Sequence, residues 1–243
     1  QGIRVCRGAC VLLLNPDTIV HPGALCELVS FMESHPRAGA AGSRLLNSDG
    51  TLQISCGPKP TLFREAWRLW YLDKLKRLAT YDMESWDVKT PREVDIVKGA
   101  CLIAPRQVLH QVGLLDEDLF LYGEELDLCE KIQQAGYQIH WVPASVVTHI
   151  GRASTDQISA QAFLEHYVSK HHFFCKRSGR AVGTAYKLFL LITAFSRIAL
   201  EPLAYLRPQE DREEWLRLSR SYRRLVVSIL SGKFTSIRHD LPS

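Results

Sequence analysis

Val11-Leu12-Leu13-Leu14 is a short apolar run stopped at once by Asn15-Pro16-Asp17. A run of this length, closed by turn residues, predicts a strand buried on both faces, as in a sheet covered by helices. Pro16 has no N–H to give a ladder, so the chain must leave the sheet there. Pro22-Gly23 then opens a helix carrying Leu25, Leu28, Val29 and Met32 at helical spacing and ending near His35-Pro36. Residues 38–42 read as a small-residue strand, and 45–52 as a hairpin turning at Asp49-Gly50. Residues 95–103 read as one further β element, in which Gly99 marks a bulge or close approach by a ligand. A short helix follows Pro105 and ends at Gly113. After the aromatic turn at 120–123, a helix over 124–135 is closed by Gly136. Two short strands, 139–142 and 146–148, follow. This alternation predicts an α/β layered domain over residues 1–156.

Between these elements, Trp67, Trp70, Tyr71 and Leu75 suggest one helix, ended by a loop at 89–92. The last third, residues 157–243, reads as a helical extension with helices over 157–177, 182–206 and 209–231. Residues 188–195 are apolar all round, but eight residues fall short of the roughly 20 that cross a bilayer. Extending the run to Leu206 takes in Arg197 and Glu201. Two readings remain: a helix lying in a membrane interface with Lys187 and Arg197 at its polar edge, or a helix packed on the main domain.

Charge divides the same way. Residues 1–156 hold 16 Lys/Arg against 19 Asp/Glu, a net of −3, and residues 157–243 hold 14 against 7, a net of +7. An acidic part can hold a metal ion. A basic part can meet an anionic surface or simply be well solvated. With 46% hydrophobic and 23% charged residues the chain is too apolar for disorder, and 15 Gly and 11 Pro exclude collagen-like and low-complexity classes. Seven scattered Cys without a CxxC pair point to a reducing compartment, buried free thiols and no structural zinc site. No secretory signal is visible, and a start at Gln1 leads us to expect a piece of a longer protein.

Three places can carry chemistry. Asp17 lies just past the carboxyl end of a strand, where open α/β sheets place their ligand sites; it can bind a divalent metal, although Asn-Pro-Asp is also a good turn. Glu124, Glu125, Asp127 and Glu130 crowd the start of one helix, more acid than the helix dipole needs. A carboxylate at that edge can take a proton from an attacking hydroxyl. His149 follows a strand and is either a metal ligand or a surface residue.

Taken in order, 12–18 (Leu-Leu-Leu-Asn-Pro-Asp-Thr), 97–103 (Val-Lys-Gly-Ala-Cys-Leu-Ile), 122–129 (Tyr-Gly-Glu-Glu-Leu-Asp-Leu-Cys), Ala135-Gly136-Tyr137 and His149-Ile150-Gly151 resemble an inverting family 2 glycosyltransferase. The nearest branch is the bacterial rhamnosyltransferase-like, cell-wall and O-antigen type, and the resemblance covers roughly residues 1–180. It implies a GT-A-type mixed sheet flanked by helices. Position by position, Asp17 matches the last acid of the family's metal-binding motif, with Asn15 beside it toward the donor. His149 matches a histidine completing the metal site in some relatives. Glu124-Glu125 matches a pair usually written Glu-Asp, whose second member is the catalytic base, so Glu125 is the expected base and Asp127 the reserve. Gly99 and Ala100 match the stretch against donor sugar and acceptor.

The resemblance further implies transfer from a nucleotide-diphosphate sugar to a saccharide or lipid-linked saccharide, with inversion and a divalent metal, Mg2+ or Mn2+. The expected place is cytoplasmic, peripheral at the inner face of the plasma membrane through the C-terminal helices, with no nucleic acid partner. The nucleotide-gripping strands and helices with which family members begin, on the order of 80–100 residues, are expected upstream of Gln1, so the chain alone is expected to be poorly active or inactive. The competing reading is a non-catalytic remnant acting as a membrane-associated interaction module. A nucleic-acid binder rests only on the basic and aromatic residues 171–177. A nucleotide-sugar pyrophosphorylase would share the layout but is marked by an N-terminal glycine-rich loop.

Overall fold

Helix α1 (Gly2–Val5) precedes strand β1 (Cys10–Leu14), then come β2 (Thr18–Val20), α2 (Ala24–Ser34), β3 (Ala38–Leu46), β4 (Leu52–Gln53), β5 (Cys56–Gly57) and α3 (Leu62–Leu69). The chain continues through β6 (Arg92–Val94), β7 (Ile96–Val97), β8 (Cys101–Pro105), α4 (Arg106–Gln111), α5 (Glu124–Gln134) and β9 (Gln138–His149). It ends with α6 (Ser159–Ser178), α7 (Arg180–Ala199), a 3₁₀ segment (Glu201–Leu206) and α8 (Gln209–Leu230). The computed structural model describes residues 1–119, 123–151, 159–206 and 208–234; the aromatic turn expected at 120–123 lies, apart from Gly123, outside them. Two compact units form: one from 1–61, 73–117 and 124–157, the other from 62–72, 118–123 and 158–243.

The first unit is built on a seven-stranded mixed sheet of order β1-β8-β3-β9-β2, with β4 added to β3 and β6 to β9. Among the described strands only β3 and β9 run parallel. Side chains alternate between two cores, as a strand's two-residue period requires. Ala40, Leu102, Ala104, Ile139 and Trp141 face α4 and α5, with Leu109, Leu128 and Ile132. Ala41, Cys101, Ile103, Val142 and Val147 face α2, with Leu28, Phe31 and Met32. The sheet is therefore the middle of three layers, the expected α/β class and mixed sheet. A Cβ on Gly39 would run into Ile132 and Tyr137, which is why a glycine lets α5 sit so close.

Four expectations are corrected. β1 is covered on both faces but only partly buried: Val11 and Leu13 pack on one core and Cys10 and Leu12 on the other, yet it ends the strand order beside β8, Val11 is its one fully buried residue, and Leu14 is 42% exposed. The single element over 95–103 is two strands, because β7 pairs with β5 in a separate ribbon while β8 joins the main sheet. Lys98-Gly99-Ala100 crosses between them. Conversely 139–142 and 146–148 are one strand, β9, with a register shift opposite Ser43 and Arg44. The helix through Trp67 and Leu75 stops at Leu69, where Tyr71 turns left-handed at φ 57°.

In the second unit α3 packs with α6, α7 and α8 around Tyr167, Phe174, Tyr186, Leu190 and Leu225. Glu65 is buried among them, with Lys170 Nζ 2.7 Å from one carboxylate oxygen and Arg68 Nη2 2.8 Å from the other. Burial alone would raise its carboxyl, but Lys170 and Arg68 outweigh that and hold it at about 2. Burial in turn drives Lys170 down to about 8 against the pull of Glu65, and His166 down to about 3, aided by Lys170 and Arg68. Arg197, which the interfacial reading of this helix put at a polar edge, turns inward. Its Nη2 donates to the Leu69 carbonyl at 2.6 Å and its guanidinium lies 4.3 Å from the Tyr71 ring, capping the last turn of α3. The seven Cys are free; Cys56 and Cys129 are buried with thiols pushed up to about 12 by desolvation, but Cys6 and Cys10 are only half-buried and Cys26 is exposed.

Candidate functional site

β1 and β2 stand at opposite ends of the strand order, so Asn15-Pro16-Asp17 carry the chain across the end of the sheet. Pro16 guarantees the departure, and two backbone bonds pin the crossing: Asn15 N–H to the Ala100 carbonyl at 3.0 Å, and Ile150 N–H to the Asp17 carbonyl at 2.9 Å. Thr18 Oγ1 donates to the Asn15 carbonyl at 2.7 Å, closing the turn. β2 pairs with β9 so that Thr18 faces His149. The Asp17 carboxylate is thereby brought 3.3 Å from His149 Nε2, and Asn15 Nδ2 is 3.3 Å from the same nitrogen. Asp17 and His149 side chains are 26% and 17% exposed, so the pair is partly open to solvent. A carboxylate oxygen, an imidazole nitrogen and an open face form a donor set that fits Mg2+ or Mn2+, ions that take few protein ligands and leave positions for phosphate and water.

Sequence reasoning missed the residue behind this pair. Gln53 on β4 has Oε1 2.7 Å from His149 Nδ1, and its Nε2 donates to the His149 carbonyl at 3.1 Å and to Asn47 Oδ1 at 3.0 Å. The hairpin itself was legible from Asp49-Gly50. Its reach to His149 depends on β3 lying between β4 and β9, with Leu45 opposite both Gln53 and Val147, a pairing no local pattern carries.

The acids of α5 separate by environment. Asp127 is 2% exposed and ion-paired with Lys131 at 2.7 Å, so the reserve base is committed inside the fold. Glu130 is likewise buried, with Lys59 Nζ at 2.6 Å. Glu125 is half-buried and acts electrostatically on Lys98. Glu124 has a buried Oε2 with no hydrogen-bond partner among the described residues, and a buried acceptor left bare is costly. Opposite them, a Cβ on Gly99 would stand 3.8 Å from the Glu125 Cβ, an ordinary contact, so the fold does not itself demand glycine there. The segment Lys98-Gly99-Ala100 thus touches the crossing loop through the Ala100 carbonyl and approaches Glu125 through Gly99.

A layered mixed sheet with a carboxylate–imidazole pair beyond its strand ends, and an acid-headed helix beside the next loop, is an α/β layout of the class in which ligands meet the strand ends. The chain belongs to the glycosyltransferase-like family 2, whose model matches residues 1–167. It is 29% identical over 170 residues to the N-acetylglucosaminyl-diphospho-decaprenol L-rhamnosyltransferase of Mycobacterium tuberculosis, covering 69% of this chain and 55% of that protein. The rhamnosyltransferase WbbL of Escherichia coli K12 is 23% identical over 189 residues, covering 69% and 62%, and the low-salt glycan biosynthesis hexosyltransferase Agl10 of Haloferax volcanii is 26% identical over 165, covering 68% and 49%. The chain thus spans about half the length of the curated relatives it matches. Among solved structures, GalNAc-T7 with UDP, GalNAc and Mn2+ aligns with a TM-score of 0.47 and 17% identity, over 74% of this chain and 36% of that one.

Proposed function

We propose that the chain is the acceptor-side part of an inverting, metal-dependent glycosyltransferase that moves a hexose, rhamnose in the first instance, from a nucleotide-diphosphate sugar to a lipid-linked saccharide. The observation that carries the reading is the pair Asp17–His149 on a loop bonded to Ala100, with Gly99 next in the chain and facing Glu125. Asp17 and His149 would hold the cation, and a divalent metal there supplies Lewis-acid stabilisation of a leaving diphosphate when bound.

The chain's own residues would do the rest. Glu125, half-buried at the head of α5 and facing Gly99, takes the proton of the acceptor hydroxyl. That hydroxyl oxygen attacks the anomeric carbon as the bond to the nucleoside diphosphate breaks, and the configuration inverts. Gly99 leaves room for a sugar ring against the segment that reaches both residues, and the bare Glu124 Oε2 is a ready acceptor for a substrate hydroxyl. Because the chain spans about half of its relatives, turnover is expected from the longer protein and little from the 243 residues alone.

The helical unit supports a place at the inner face of the cytoplasmic membrane. Helix α7 is long and apolar enough to cross a bilayer by length and composition, yet Tyr186, Leu190, Thr193 and Ala194 are buried within the unit. Its outer stripe, Leu188, Ile192 and Phe195, is more than half exposed, with Leu203, Tyr205 and Leu206 following it. Helices α6 and α8 add a cleft of about 460 Å³ where Arg223, Arg224 and Lys233 rim Leu164, Val168 and Val227, with Glu165 among its lining. Apolar surface beside basic charge is the pattern of a helix lying on an anionic membrane. The test is release of nucleoside diphosphate by the longer protein from a panel of nucleotide sugars with a prenyl-diphosphate-linked N-acetylglucosamine. Activity stopped by EDTA and by Asp17→Ala supports the reading. Turnover unchanged by both sinks the metal role, and none with any donor leaves the membrane-associated module.

A further inference from the structure

We propose that Gln53 is a positioning residue that fixes the tautomer of His149, so that the Nε2 lone pair is turned toward Asp17 and the gap between them becomes a cation site. The proposal rests on the metal reading of Asp17 and His149 given above.

The direction of every hydrogen bond behind His149 follows from the one before it. Asp49 begins the chain: its carboxylate can only accept, and Thr51 hydrogen bonds hold its pKa below the ordinary carboxylate value. Thr51 Oγ1, 2.6 Å from Asp49 Oδ1, therefore donates to it. With its one hydrogen spent, Thr51 Oγ1 accepts from Asn47 Nδ2 at 2.9 Å. The Asn47 amide is thereby oriented with Oδ1 toward Gln53, whose Nε2 donates to it at 3.0 Å. The backbone carbonyl of His149, 3.1 Å from the same Nε2, can only accept and fixes the Gln53 amide a second time. Gln53 Oε1 is then an acceptor facing His149 Nδ1 at 2.7 Å, so Nδ1 carries a hydrogen.

The neutral ring consequently holds its lone pair on Nε2. That atom lies 3.3 Å from Asp17 Oδ1 and 3.3 Å from Asn15 Nδ2. Asn15 can donate to it, but the carboxylate cannot. Two electron-rich atoms held face to face at this distance are stabilised by a positive charge between them. Metal-binding histidines are commonly oriented in this way by an acceptor on their other nitrogen, and loss of that partner typically costs 10–100-fold in metal affinity. Here the orienting group is a neutral amide anchored along a hairpin, rather than a carboxylate.

The experiment is long-range 1H–15N NMR of the histidine rings of the uniformly 15N-labelled chain without metal, at a pH where imidazole is neutral. The His149 signals are assigned by their loss in His149→Ala. Mn2+ binding is followed in parallel by electron paramagnetic resonance. The wild type is expected to show the Nδ1–H tautomer at His149 and to bind Mn2+. Gln53→Ala should shift His149 toward the Nε2–H form and weaken Mn2+ binding by roughly 10–100-fold. Gln53→Glu, which keeps an acceptor at the same reach, should restore the Nδ1–H form. An Nδ1–H tautomer that persists in Gln53→Ala, or an Nε2–H tautomer in the wild type, overturns the role of Gln53 whatever the metal result. If the wild type fails to bind Mn2+ while the tautomer still follows residue 53, the metal reading fails and the orienting role of Gln53 stands.

Discussion

The two units use their charged groups in opposite ways. In the helical unit Glu65, Arg68 and Lys170 satisfy one another in the interior, the glutamate with both oxygens engaged. In the sheet unit Asp17 and Glu125 are kept at half-open positions, and His149 is held by neutral amides. A buried pair that is complete builds structure but has nothing left to offer a ligand, while a carboxylate with a free face costs little and can work. The contrast recurs inside α5. Asp127 is spent on Lys131 and Glu130 on Lys59, whereas Glu125 stays at the edge.

Glu125→Gln against Asp127→Asn tests that division most sharply. In the longer protein Glu125→Gln should lower kcat by about 10²–10⁴-fold with the melting temperature unchanged, since a general base contributes that much. Asp127→Asn should lower the melting temperature first. The reverse pattern would make Asp127 the base.

Glu65→Gln comes next. It leaves Lys170 and Arg68 enclosed without their anion, a loss of about 3–5 kcal/mol that hydrogen exchange should locate in α3, α6 and α7 while the sheet amides stay protected. Uniform loss of protection would show that the two units unfold as one.

A smaller effect follows from pH. Glu65 is held at about 2 and His166 at about 3 in the fold, both below their ordinary values. Between those values and about 4–6.5 the unfolded chain binds more protons than the folded one, so stability falls as pH falls through that window. Protection of the helical unit should decline from about pH 6 downward, and Glu65→Gln should flatten the part below about pH 4.5.

The smallest expected change is at the surface. Ile192→Asp with Phe195→Asp should weaken binding to vesicles containing an anionic phospholipid roughly tenfold without affecting the fold, because both side chains are more than half exposed. Binding that is unchanged by the substitutions, or absent in the wild type, would overturn the proposed membrane contact of this stripe.

Much of the sheet unit was legible because its signals are local. Asn15-Pro16-Asp17 ends a strand by chemistry that needs no partner, Asp49-Gly50 turns a hairpin, and Gly136 with φ 87° closes α5. The candidate metal ligands attached to those signals were legible with them, and Asp17 and His149 do meet; that Glu125 stands beside Gly99 was not. Other features depended on what packs against what. Lys98-Gly99-Ala100 looked like the middle of one strand because nothing in 95–103 says that Val97 pairs with Cys56 and Leu102 with Leu13. Arg197 looked like a polar edge because its partners, the Leu69 carbonyl and the Tyr71 ring, lie more than a hundred residues earlier.

By itself the sequence determined where the chain must turn, which runs are apolar enough to be covered, and that acids gather at the start of α5. Those are properties of neighbouring residues and their backbone preferences. Only the tertiary structure decided which acids are buried in ion pairs and which stay at the edge, and that a glutamine on a hairpin bonds to His149. Ion pairs and hydrogen bonds form between groups a few ångströms apart in space, and that distance is set by strand pairing and helix packing far along the chain.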